Sequence, residues 1–265
     1  MLYLRVLVMY PWYYIWSPRY EIFHQVLSTS LIDTPGISLN PIFAEQSYFT
    51  RKVIEGHAFT GISIKFFMIL KALRQHKGEY VICSDADLVI MQKELIASYL
   101  DAYKADITSM RDTDTPNSVY NIGFMLIKSS DETIAFFEKV YERIRRENGH
   151  DQTIFNQELS SFTGTYAFFS IPEISQSNMK LEDSTILFQC LVSEDNADMA
   201  MVEKLISISN FKDISYYKYL LTKPILVNLM YVIKATDPEN YIAGWDFDCV
   251  DEYLLPPSNQ SSNNT

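Results

Sequence analysis

The most constraining stretch is residues 80–90, YVICSDADLVI, where an apolar run delivers two acids one residue apart and apolar sequence then resumes. Apolar residues on both sides pull this turn against a core. Two carboxylates placed there repel each other and lose hydration. A divalent cation relieves both problems, and Mg2+ or Mn2+ takes hard oxygen ligands and shares them with phosphates. If residues 80–83 are a strand of an open α/β sheet, Asp85 and Asp87 sit beyond its carboxyl end, where such sheets bind ligands.

The surrounding pattern supports that placement. Residues 4–10 read as a short buried strand that Pro11 stops. Residues 33–41 carry Asp33, Pro35, Gly36, Asn40 and Pro41 and read as loop. Ile62, Phe66, Ile69, Leu70 and Leu73 recur at helical spacing, with Gly78 as the C-terminal stop. A helix over 93–103, a strand over 106–110, a polar turn over 111–120 and a strand over 121–128 follow. Ser129 and Glu132 form a capping box, ahead of a helix facing inward through Phe137, Val140, Tyr141 and Ile144. Residues 151–159 read as a helix, and 166–171 and 185–191 as strands. Alternating strands and helices predict an α/β fold, with a mainly parallel central sheet flanked by helices. Residues 1–195 are expected to form the catalytic domain and 196–254 a helical extension, with 255–265, ending PPSNQSSNNT, too polar to pack.

Composition narrows the partners. Lys and Arg number 22 against 33 Asp and Glu, a net charge of −11. That balance argues against nucleic acid, though not against a nucleotide, since a cation and a few local positive groups can neutralise a diphosphate. Cys83, Cys190 and Cys249 fit no zinc spacing and read as buried thiols. No segment reaches the ~18–20 apolar residues of a membrane span, so the expectation is either a cytoplasmic site of action, the one favoured, or a membrane anchor outside these residues.

With those residues in view, the stretch around Asp85-Ala86-Asp87 resembles the DxD motif of GT-A glycosyltransferases. Asn121-Ile122-Gly123-Phe124 resembles the N-x-G strand, and Asp151-Gln152 the D-Q helix start, of family 77-like sugar transferases. Lys65 resembles a lysine those families carry one helix earlier. The resemblance spans roughly residues 2–192 and includes algal-virus glycosyltransferases, which would place the chain in a host cytoplasm. It implies a GT-A fold, a nucleotide-sugar donor (a UDP-sugar by family frequency), a glycan or glycoprotein acceptor, and Mn2+ or Mg2+. Asp87 would be the main metal ligand and Asp85 a ribose or second metal contact. Gln189 stands where these enzymes often place a ligating His, and would be a weaker, neutral ligand.

Further roles attach to single residues. Lys65 would meet the diphosphate as a point charge. Arg111 and Asp112 would hold sugar hydroxyls, Gln152 would sit beside the donor, and Asn121 would bond to the sugar. Gly123 would admit a close approach of backbone to ligand, or else mark a strand bulge. Asp151 would take the acceptor proton in an inverting reaction, or orient the donor in a retaining one. Tyr10, at a strand end, would stack on the base. Two alternatives stay open. A haloacid-dehalogenase-like phosphatase also begins with a strand and Asp-x-Asp, but there on an early strand and with an adjacent acidic pair that this chain lacks. A non-catalytic sugar-binding relative is the other.

Overall fold

The computed structural model describes residues 9–17, 20–44, 51–54, 57–60, 62–112, 120–176, 182–190 and 204. The expectations for residues 4–8, for the loop beyond residue 112, for Cys249 and for the C-terminal segments lie outside these. By contact density the chain divides into Met1–Asp195 and Asn196–Thr265. The first unit holds every strand among the described residues.

The elements in order are β1 (Tyr10–Trp16), α1 (Glu21–Ser30), β2 (Ile37–Phe43), β3 (Arg51–Ile54), β4 (His57–Thr60) and α2 (Ile62–Gln75). Next come β5 (Tyr80–Ser84), β6 (Leu88–Ile90), α3 (Lys93–Leu100), β7 (Ile107–Arg111) and β8 (Tyr120–Lys128). The last are α4 (Asp131–Glu147), α5 (Asp151–Leu159), β9 (Tyr166–Phe168), β10 (Ile174–Gln176) and β11 (Leu187–Gln189). Among the described residues, six strands form one sheet in the order β2-β1-β5-β8-β7-β9. All run the same way except β8, which is antiparallel to both neighbours. A second sheet has the order β10-β11-β6, and β3 pairs with β4. The mainly parallel sheet expected from the alternation is therefore present.

Helices cover both faces of the main sheet. On one, α2, α4 and α5 contribute Phe66, Ile69, Leu73, Phe137, Val140, Ile144 and Phe155 to a core with Tyr13, Val81, Cys83, Met125 and Ile127. On the other, Trp12 meets Phe124, Tyr14 bonds to His24 of α1, and Tyr10 bonds to Asp101 just after α3. Burying this much apolar surface is the main term favouring the fold.

Three expectations need correction. Pro11 does not stop the first strand, which runs Tyr10–Trp16. Tyr10 N donates to Gly36 O on the β2 side, so the alternating Pro11 nitrogen faces β5, whose pairing begins only at Trp12↔Ile82. The missing N–H therefore costs no ladder bond. Residues 37–43, read largely as loop, form β2. It is an outer strand, where Pro41 is tolerated, and Gly36 at φ 78 makes the turn into it. The α4 capping box is Ser130 with Thr133, one residue later than expected, with both reciprocal bonds made.

Candidate functional site

The carboxyl ends of β5 and β7 and the amino end of β8 lie at one rim, because Ser84 is level with Phe124 and Arg111 with Tyr120. The Asp85-Ala86-Asp87 triplet emerges there and turns the chain from the main sheet (β5) into the small one (β6). Its backbone is fixed at both ends: Asp85 N donates to Gly123 O at 2.8 Å, and Asp87 O accepts from Cys190 N at 2.9 Å. Trp12 Nε1 donates to Ser84 Oγ at 2.8 Å, and that hydroxyl donates to Asp85 O at 2.9 Å.

The two acids differ in surroundings. Asp85 is half-buried and its carboxylate is held on both oxygens, Oδ1 by Lys65 Nζ at 2.8 Å and Oδ2 by Gln189 Nε2 at 3.2 Å. The Lys65 side chain is only 13% exposed, so it is no ordinary solvated helix lysine. Asp87 is 3% exposed. A carboxylate that deep is costly unless positive charge or strong donors compensate it.

Beside the triplet, β8 departs from β7. The pairing jumps from Ser109↔Met125 to Met110↔Asn121, so Ile122, Gly123 and Phe124 form a bulge on β8. Asn121 Oδ1 accepts the Gly123 N–H at 2.6 Å, and Asn121 Nδ2 donates to Gln176 Oε1 at 3.3 Å. Asn121 thus has both ends of its amide engaged inside the protein, instead of presenting them to a sugar. The strand-bulge alternative for Gly123 is what the register shows. The room the glycine leaves is filled by the Gln189 side-chain amide.

The start of α5 is tied to the same rim. Gln152 Oε1 accepts from Ile122 N at 3.2 Å, and Gln152 Nε2 donates to Asp112 Oδ2 at 2.7 Å. Asp151 Oδ1 accepts from Gln152 N at 2.8 Å and lies 3.6 Å from His150 Nε2. Arg111 is exposed, with its guanidinium 4.5 Å over the Phe168 ring, which stacks on Tyr120 at 4.1 Å. Stacking of this kind leaves the in-plane N–H donors of an arginine usable.

The structure thus gathers Asp85, Asp87, Lys65, Gly123, Asn121 and Gln189, with Gln152, Asp112, Asp151 and Arg111 along the same edge. Tyr10 is not among them. It begins β1, at the opposite end of strands whose carboxyl ends carry the triplet, and it is 1% exposed. Burial and the bond to Asp101 push its phenol far above the ordinary range. It is a core aromatic, and stacking on a base is not available to it. At the carboxyl end of the same strand, Trp16 lies parallel to His24 at 4.2 Å, an aromatic that local sequence rules pass over because they place the strand too early. Gln176, fully buried, escapes them too; a lone Gln in a polar stretch carries no periodic signal. Cys83 and Cys190 are buried, as expected. Burial pushes the Cys83 thiol up, out of the nucleophilic range.

The nucleotide-diphospho-sugar transferase family profile matches residues 65–239. No curated protein matches the chain. Among solved structures, apo glycosyltransferase GlyE of Streptococcus pneumoniae TIGR4 is similar at 13% identity and TM-score 0.52, over 78% of this chain and 64% of that one. An active-site mutant of LgtC aligns at 12% identity and TM-score 0.47, over 75% of this chain and 95% of that one. A mannosyltransferase of Pyrobaculum calidifontis, solved with GDP-Man and Mn2+, aligns at 10% identity and TM-score 0.36, over 91% and 79%. The likeness to GlyE is one of fold, and the chain spans about 64% of GlyE's length.

Proposed function

Because this chain belongs to the nucleotide-diphospho-sugar transferase family, we propose that it moves a sugar from a UDP-sugar to a hydroxyl of a glycan or glycoprotein, with Mn2+ or Mg2+ held at Asp85 and Asp87. The observation that carries this reading is a 3%-exposed Asp87, two residues from an Asp85 paired with Lys65, at the carboxyl end of a strand. The phosphatase alternative falls with the family. Within it, the Asn121-Ile122-Gly123 and Asp151-Gln152 motifs favour the family 77-like branch.

The residues fit a hard cation. Asp87 supplies a buried carboxylate and Asp85 a second. The rest of the shell would come from water and phosphate oxygens, as Mg2+ prefers. When bound, the cation would supply Lewis-acid neutralisation of the leaving diphosphate.

The chain's own groups do the rest. Lys65 brings a compact positive charge to the diphosphate and holds the Asp85 carboxylate in place through their ion pair. Gln152 holds Asp112 beside the β8 bulge, so that Asp112 and the stacked Arg111 can bind hydroxyls of donor or acceptor. Asp151 opens α5, next to the Gln152 that meets the β8 bulge. In an inverting transfer it takes the hydroxyl proton, and in a retaining one it orients the donor. The test is release of UDP from UDP-sugars by the purified chain with Mn2+. Asp87→Ala is expected to abolish cation-dependent turnover, and unchanged turnover in that variant refutes the assignment.

A further inference from the structure

The bulge at Gly123 poses a packing question that donor binding alone does not answer. Gly123 does not adopt a left-handed conformation; among the described residues the positive-φ glycines are Gly36 and Gly78. Its lack of a side chain leaves a hollow that the Gln189 amide occupies. A Cβ there would lie 2.5 Å from Gln189 Cδ and overlap the amide nitrogen and oxygen as well. Gln189 is 2% exposed and donates through Nε2 to Asp85 Oδ2. The same glycine carbonyl accepts the Asp85 N–H. Gln189 is in register with Gln176, whose Oε1 accepts from Asn121, whose Oδ1 in turn takes the Gly123 N–H.

Buried amides from the small sheet and from β8 thus close a hydrogen-bonded belt around the triplet. It is the nitrogen end of Gln189 that meets the acid, as a donor to the carboxylate. We propose that Gln189 is a positioning residue, which holds the Asp85 carboxylate in the rotamer that the donor site uses, and that position 123 is glycine to admit it. The proposal rests on Asp85 being a donor-site residue. It replaces two sequence-level expectations, Gln189 as a metal ligand and Gly123 as a point of close ligand approach.

The test combines a ligand-free readout with a binding one, on the full chain. In urea unfolding without ligand, the Gln189→Ala and Asp85→Ala effects should be non-additive by about tenfold in the folding equilibrium constant, as for a hydrogen bond to a charged group. In the same assay Gly123→Ala should destabilise the native background and have little effect in the Gln189→Ala background, where the hollow has been vacated. Calorimetric titration with UDP and Mn2+ should then show affinity reduced about tenfold by Gln189→Ala and similarly by Gly123→Ala, with the double variant no worse than Gln189→Ala alone. Additive unfolding effects overturn the proposal, as does a further loss of UDP affinity from Gly123→Ala when Gln189 is absent, which would assign Gly123 to the ligand. If the native chain binds no nucleotide, the functional reading fails, while the ligand-free cycle still decides whether Gln189 holds Asp85.

Discussion

The Lys65–Asp85 pair at the triplet carries a prediction of its own. Lys65 neutralises Asp85 from a nearly covered position, so Lys65→Met leaves a half-buried carboxylate without that cation. The expected outcome is weaker binding of UDP with Mn2+, because a positive charge near the diphosphate is lost, with the fold retained. Titration calorimetry beside circular dichroism checks both halves. A Lys65→Met variant that binds as tightly as the native chain would return Lys65 to a purely structural role. Lys65→Arg should rescue only partly, because a planar guanidinium does not reproduce a compact ammonium. At this scale the sequence was most informative where residue type alone dictates chemistry: two acids between apolar runs. It was least informative where a role depends on a distant partner. Nothing local in the chain places Gln176 beside Asn121, or the Gln189 amide in the hollow of Gly123.

The elements explain which parts of the fold could be read in advance. Helices α2, α4 and α5 announce themselves by spacing, because their inward faces repeat with the helical period. Six strands were legible in order but not at their ends, and β2, β3, β4, β6 and β10 were not read at all. β1 runs through a proline that local rules treat as a stop, since the rule depends on which side the neighbouring strand occupies. Two predictions belong to these elements. Ser130→Ala removes the acceptor that caps α4 and should cost about 1 kcal/mol, lowering the melting temperature by about 2–4 °C in a domain of this size. The second concerns Glu158 on α5, which pairs with Lys139 and Arg143 of α4. Hydrogen bonding from Lys139 holds its carboxyl below the ordinary range, reinforced by Arg143. A group whose native value is depressed stabilises the fold above its unfolded value, and that stability is lost as pH falls through the native one. Urea midpoints of the native chain and Glu158→Gln should therefore differ at neutral pH and converge on acidification below the ordinary carboxylate range. A gap that stays constant at low pH would show that the ion pairs do not set the α4–α5 tie.

For the whole molecule, the decisive fact is that a chain with net charge −11 has to bind a dianionic diphosphate if the proposed function holds. Long-range attraction is absent, so affinity has to come from local compensation by a cation and by Lys65, and it should depend strongly on the cation. The family profile extends from residue 65 to residue 239, past the domain end expected at 195, so the binding test belongs on the full chain. A ligand that binds only the native state stabilises it by RT ln(1 + [L]/Kd), about 2.7 kcal/mol at a hundredfold excess over Kd. In a domain of this size that raises the melting temperature by roughly 5–10 °C. UDP with Mn2+ should give such a shift, and UDP with a chelator much less, because without the cation the carboxylates oppose the phosphates. GDP with Mn2+ measures whether the base is discriminated. A flat response to every nucleoside diphosphate with Mn2+ would point to a sugar-binding relative that has lost donor chemistry. An equal response with and without the cation would instead keep the nucleotide site and remove the metal from Asp85 and Asp87.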